Sequence, residues 1–95
     1  MNSDEFEWHD TKARSNLAKH NVDFETAKRV FTDVNAIEEI DTFSDPIEER
    51  LILTGMAGGT IVVVVYSHRE GRIRIISARG ATKHEQDDYY RANTA

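Results

Sequence analysis

The sequence predicts an α+β fold with two N-terminal helices, an antiparallel sheet of about four strands and a C-terminal helix. Three observations lead there. Two capped segments with helical periodicity occupy residues 10–31. Strand-sized runs separated by glycine turns fill residues 36–79. Thr82 and Glu85 then stand at capping-box spacing before a last helical segment. Strands joined in series pair as a meander, and the flanking helices bury their apolar stripes on it.

The elements follow in order. Residues 1–7 read as a loose terminus or a short edge strand ending at Phe6. "DTKARSNLAKHN" (10–21) reads as a helix with Asp10 as its cap and Asn21 in the left-handed position after its last turn. Ala13, Leu17 and His20 form its expected inward stripe, beside a polar stripe of Lys12, Asn16 and Lys19. "DFETAKRVF" (23–31) is a second short helix, capped by Asp23, with Phe24, Ala27, Val30 and Phe31 on its apolar side. "AIEEI" (36–40) is a weak strand, and Pro46 sits in the loop after it. "ERLILTG" (49–55) is a stronger strand, and Gly58-Gly59 marks a hairpin turn. "TIVVVVYS" (60–67) is apolar on both faces, as a central strand is. "HREG" (68–71) makes the next turn, "RIRIISAR" (72–79) is the fourth strand, and "TKHEQDDYYRA" (82–92) is the closing helix.

The 95 residues suit one domain, 1–95. There is no cysteine, so neither disulfides nor thiolate metal sites arise. The acidic start is neither a signal peptide nor a membrane span, and a cytoplasmic protein with no membrane contact is expected. The net charge of −5 is unevenly placed. Residues 1–49 carry 13 acidic and 5 basic side chains; residues 50–95 carry 4 and 7. Between Asp33 and Glu49 there are seven carboxylates and no Lys or Arg. Potential acts within a Debye length of ~8–10 Å, so a polyanion and a basic partner can each find a surface. The alternative is mutual neutralisation within the fold.

Several chemistries are excluded. "GMAGGT" (55–60) lacks the Lys-Ser/Thr ending of a phosphate loop and leads into a strand. His9, His20, His68 and His84 have no metal-ligand spacing, so no metal and no cofactor are expected. The arginines remain. Period-2 geometry puts Arg72 and Arg74 on one face of the fourth strand and Ser77 and Arg79 on the other, unless a bulge intervenes. Arginine forks bind phosphate and stabilise the charge that builds up in strand cleavage. The competing reading is a charged edge strand, with Arg79 anchoring a C-terminal carboxylate.

The pattern also resembles a known family. "FEWHDTKARSNLAKHNVDFETAKRVF" (6–31), "ERLILTG" (49–55) and "VVVVYSHREGRIRIISARGATKHE" (62–85) are similar, in order and spacing, to the blocks of BrnT toxins. The resemblance implies a RelE-like fold and a toxin of a bacterial type II toxin–antitoxin pair, a ribonuclease that arrests translation. It implies a BrnA-like ribbon-helix-helix antitoxin as partner, RNA as substrate, and operator DNA bound only through the complex. Two positions depart from the family pattern. His9 stands where an aspartate is usual, and Gly80 stands where a second cation usually follows Ser77-Ala78-Arg79. The latter opens an alternative, a catalytically weakened co-repressor module that binds antitoxin through the carboxylates of 33–49.

Candidate roles follow from both lines. Arg79 is the transition-state cation, with Arg50 and Arg74 as phosphate positioners and Lys12 reaching the same groove. His20 suits proton transfer, with a reference pKa of ~6.5; the other reading is a helix C-terminal cation. Trp8, Lys19, Tyr66 and Lys83 are the RNA-binding candidates, Trp8 by stacking. Trp8 equally serves as a staple over the first helix, Tyr66 as core packing, and Glu85 as the capping carboxylate.

Overall fold

The computed structural model describes residues 5–42 and 48–94; Pro46 and its loop lie outside them. The chain runs β1 (Phe6–Glu7), α1 (Asp10–His20), α2 (Phe24–Lys28), a 3-10 turn (Arg29–Thr32), β2 (Ile37–Asp41), β3 (Arg50–Ala57), β4 (Thr60–Arg69), β5 (Arg72–Gly80) and α3 (Lys83–Asn93). The α+β class stands, with three α-helices. The sheet departs from expectation in two respects. It has five strands, in the order β1-β5-β4-β3-β2, and it is mixed because β1 runs parallel to β5. Two residues leave no alternation to read in a sequence. Burial holds β1 in place: Phe6 is buried and meets Phe31 edge-on at 5.2 Å.

Local signals set most boundaries. Asp23 caps α2, its carboxylate accepting from the Thr26 N–H at 2.6 Å. Thr82 and Glu85 form the reciprocal capping box. Asn21 ends α1 at φ 57°, its N–H donating to the Leu17 carbonyl. The start of α1 differs from expectation. His9 holds the cap position without a side-chain bond, and Asp10 stands in the first turn, where its charge favours the helix dipole. Both hairpins are two-residue turns with positive φ throughout, Gly58-Gly59 and Glu70-Gly71. Such turns match the twist of the strands they join.

One face of the sheet packs Leu51, Leu53, Val62, Val64, Tyr66, Ile75 and Ala78 against Phe24, Ala27 and Val30. Gly55 allows the close approach. A β-carbon there would lie 3.0 Å from Ala36 and from Val30. α3 is tied to the far end of β3 through Tyr89, whose hydroxyl donates to Asp33 at 2.6 Å while Asp33 also accepts the Met56 N–H at 2.7 Å. No helix among the described residues is long and apolar enough to cross a membrane.

α1 sits on the sheet differently from its apolar pattern. Leu17 is 45% exposed, whereas Asn16 is 7% exposed. The Asn16 amide nitrogen donates to the carbonyls of Ala78 at 2.8 Å and Val22 at 3.0 Å, and its oxygen accepts the Ala78 N–H at 3.1 Å. The side chain thus satisfies the open edge of β5 as a neighbouring strand would. Buried backbone groups demand partners, and this demand outweighs the burial of one leucine.

Candidate nucleic-acid interface

The register of β4 against β5 shifts between Val65 and Tyr66. Val65 stands opposite Ser77 and Tyr66 opposite Ile75, so Ile76 is an extra residue. This bulge reverses the expected division of β5. Arg72, Arg74, Ser77 and Arg79 share one face, the face turned away from Tyr66 and Ile75, because one added residue restores their phase. Arg50 joins that face, since its neighbour Leu51 pairs with Tyr66 on the other.

A carboxylate links three adjacent strands there. Glu48 Oε1 accepts from the buried Ser67 hydroxyl at 2.8 Å and lies 3.5 Å from Arg74 Nη1. Its Oε2 lies 3.9 Å from Arg50 Nη2. Glu48 thereby screens two guanidiniums that would otherwise repel. The Nε of Arg50 is buried and has no hydrogen-bond partner among the described residues.

Beside this cluster, α1 and the sheet enclose a groove of about 480 Å³. Lys12, Lys19 and His20 line it from α1, Arg50 from β3, and Ile76 and Ser77 from β5. Among the described residues that line it, none is acidic. Asn16 explains why the lysines arrive here. Positions 12, 16 and 19 share a helix face, and anchoring Asn16 on Ala78 turns that whole face to the sheet.

The structure therefore brings together Lys12, Lys19, His20 and Arg50, with Arg74 joined through Glu48. The other candidates stand elsewhere. Arg79 donates a fork to Glu85, Nη1 to Oε1 at 2.7 Å and Nη2 to Oε2 at 2.8 Å. This fork holds the Glu85 carboxyl down to about 2, helped by the Thr82 N–H and opposed by burial. Arg79 shares the face but does not line the groove. Trp8 meets Phe24 edge-on at 5.7 Å and shares a shallow pocket with Ala13, the position that a staple over α1 uses. Tyr66 is buried, its hydroxyl bonded to Glu38, and burial followed by that bond raises its pKa. Lys83 pairs with Asp87 at 2.8 Å on α3.

Sequence reasoning missed Glu48, Ser77 and Asn16 as parts of the site. Ser77 and Asn16 stood inside motifs whose orientation only the bulge and the edge contact decide. A larger cavity of about 820 Å³ lies between Phe6, Phe31 and Ile73. Its charges are mixed, with Glu25 and Lys28 paired at 3.2 Å, so it offers no field for a polyanion. Among the described residues, no group of three or more His, Cys, Asp or Glu is placed to hold a metal ion.

A family model described as "Ribonuclease toxin, BrnT, of type II toxin-antitoxin system" matches residues 8–85 of this chain. A comparison with curated proteins gives no match.

Proposed function

Because the chain belongs to the BrnT family of ribonuclease toxins of type II toxin–antitoxin systems, we propose that it is an endoribonuclease that works in the groove between α1 and the sheet. The observation that carries this is the convergence of Lys12, Lys19, His20 and Arg50 on one groove whose described lining residues include no acid, in a chain of net charge −5. A basic groove in an acidic protein concentrates a polyanion at that groove.

RNA supplies its own nucleophile. The 2′-oxygen attacks the adjacent phosphorus, and the bond from phosphorus to the 5′-oxygen breaks. A 2′,3′-cyclic phosphate and a 5′-hydroxyl result. His20 takes the proton of the 2′-hydroxyl, and a water molecule protonates the departing 5′-oxygen on the far side of the phosphorus. Arg50 and Lys12 hold the non-bridging oxygens, whose charge grows in the transition state. Lys19 binds a neighbouring phosphate. Arg74 supports Arg50 through Glu48, whose contacts to the two arginines are longer than its bond to Ser67. A phosphate competes for Arg50 on favourable terms, because guanidinium–phosphate bonds form at about 2.7–2.9 Å. Arg79 serves as the tie between β5 and α3 and not as the principal cation.

The whole chain acts as one toxin domain of RelE-like type. Cleavage arrests translation in the cytoplasm, and a ribbon-helix-helix antitoxin neutralises it. Operator DNA is bound only through that complex, since nonspecific affinity for DNA comes from cations that displace counterions. Position 80 does not line the groove, so glycine there leaves the cations in place. This favours the enzyme over a co-repressor module that has lost cleavage. The test is incubation of the purified chain with end-labelled RNA, free and on translating ribosomes. Fragments ending in a cyclic phosphate are expected, and they vanish when antitoxin is added. Intact RNA in both settings would refute the proposal.

A further inference from the structure

The two edges of the sheet are finished differently. On one side β1 pairs with Ile73 and Arg74, and Asn16 occupies the N–H and the carbonyl of Ala78. On the other side lies β2, and among the described residues no strand pairs with its outer edge. Proteins protect such edges with charge, proline or a bulge. β2 has neither proline nor bulge, and its register with β3 is unbroken from Ile37–Thr54 to Asp41–Arg50. Its charges Glu38, Glu39 and Asp41 are all negative, which guards it against acidic strands and leaves it open to a basic one. Its Ile40 is 61% exposed, and Val34 just before it is 96% exposed. A row of outward backbone groups and an uncovered apolar side chain are what an added strand uses.

Charge selects the occupant. The stretch from Asp33 to Glu49 holds seven carboxylates and no cation. A second copy pairing antiparallel through β2 would set Glu39 against its own counterpart when centred there, or Glu38 against Glu39 one register over, and like charges directly opposite are unfavourable. A basic segment meets the reverse situation.

We propose that β2 is the docking edge for an extended, basic segment of a protein partner, which adds as a further strand and covers Ile40. The identity of that partner, the antitoxin, rests on the function proposed above. The register gives the docking a consequence. Asp41 at the end of β2 stands beside Arg50, the β3 cation of the groove. A segment leaving β2 at that end starts two strand spacings, about 9.6 Å, from the groove's arginine.

The experiment uses the full chain, the antitoxin encoded with it, and two readouts that do not depend on cleavage. Hydrogen exchange is measured with and without antitoxin, and affinity is measured by calorimetry for wild type and for the double variant Glu39→Arg, Ile40→Lys. Both positions are exposed, and thermal melts verify that the variant folds. A Tyr90→Ala variant, on α3, is the control. Protection of amides in 37–41 is expected on binding, with a Kd at least roughly tenfold weaker for the double variant and unchanged for the control. Unaltered exchange over 37–41, or equal affinity of the double variant, would overturn the proposal. Concentration-dependent protection of 37–41 without antitoxin would assign the edge to a second copy and overturn it too. RNA cleavage by the chain alone is scored separately, so failure of the ribonuclease reading and failure of the docking reading are distinguishable.

Discussion

Replacing Asn16 by leucine keeps most of the side-chain volume and removes the amide. Three hydrogen bonds go with it, two through Ala78 and one to Val22. Each is worth about 1 kcal/mol net, and the abandoned Ala78 N–H adds a desolvation cost, so a loss of about 3–4 kcal/mol is expected. For a domain of this size each kcal/mol moves the melting temperature by roughly 4–8 °C, which places the fall at about 12–30 °C. Leu17→Ala is the counterpart. It removes an apolar side chain that is 45% exposed, and the expected cost is about 1 kcal/mol or less. The assay is thermal melting followed by circular dichroism, with amide exchange over residues 10–20 to show that α1 is the element released. A fall below about 5 °C for Asn16→Leu would refute the edge-sealing role. So would an equal fall for Leu17→Ala. The perturbation also reaches the site, since Lys12 and Lys19 depend on the same contact for their direction.

Further outcomes test other links. Glu85 sits below its ordinary value, so its contribution to stability is complete above about pH 4.5 and is lost as pH falls toward about 2. Glu85→Gln should therefore destabilise at neutral pH and converge with wild type near pH 2, as read by melts across that range. Arg79→Ala should lower the melting temperature through loss of the same fork, while cleavage well below the melt falls less than roughly tenfold. A larger loss would return Arg79 to the chemistry. Glu48→Gln weakens the screen between Arg50 and Arg74. RNA affinity, measured by filter binding, should rise a few-fold while cleavage stays within a few-fold. Gly80→Arg should leave the melting temperature unchanged, because a β-carbon at this position meets nothing within 4 Å. Its cleavage rate should stay within roughly tenfold of wild type.

What the sequence made legible was set by local chemistry. Asp23, the Thr82–Glu85 box, Asn21 and the two glycine turns mark their boundaries through bonds within a few residues, and those bonds are present. The convergence of Lys12 with Arg50 was legible in outline because both lie at the ends of recognisable elements. Three features were not, and each depends on distant partners. The short edge strand at Phe6 was one of two readings, but its parallel pairing beside β5 was not, because Ile73 and Phe31 fix it. The face of α1 is chosen by the unpaired backbone of Ala78, sixty-two residues away, and not by Leu17. The arginines of β5 share a face only because Ile76 is inserted against β4. Alternation cannot foresee an insertion that the partner strand defines. Glu48 was passed over for the same reason, since its partners lie on three strands.

The central claim is that cleavage takes place in the groove of α1 and the sheet, with Arg50 as its principal cation. Single-turnover cleavage of a labelled RNA by wild type and Arg50→Ala, with melts as the folding control, tests it most directly. Loss of a charge-assisted contact to the transition state, about 1.5–3 kcal/mol, corresponds to a rate lower by roughly tenfold to a hundredfold. That fall, with Arg79→Ala much less affected, is the expected result. A folded Arg50→Ala protein that cleaves as fast as wild type would contradict the account.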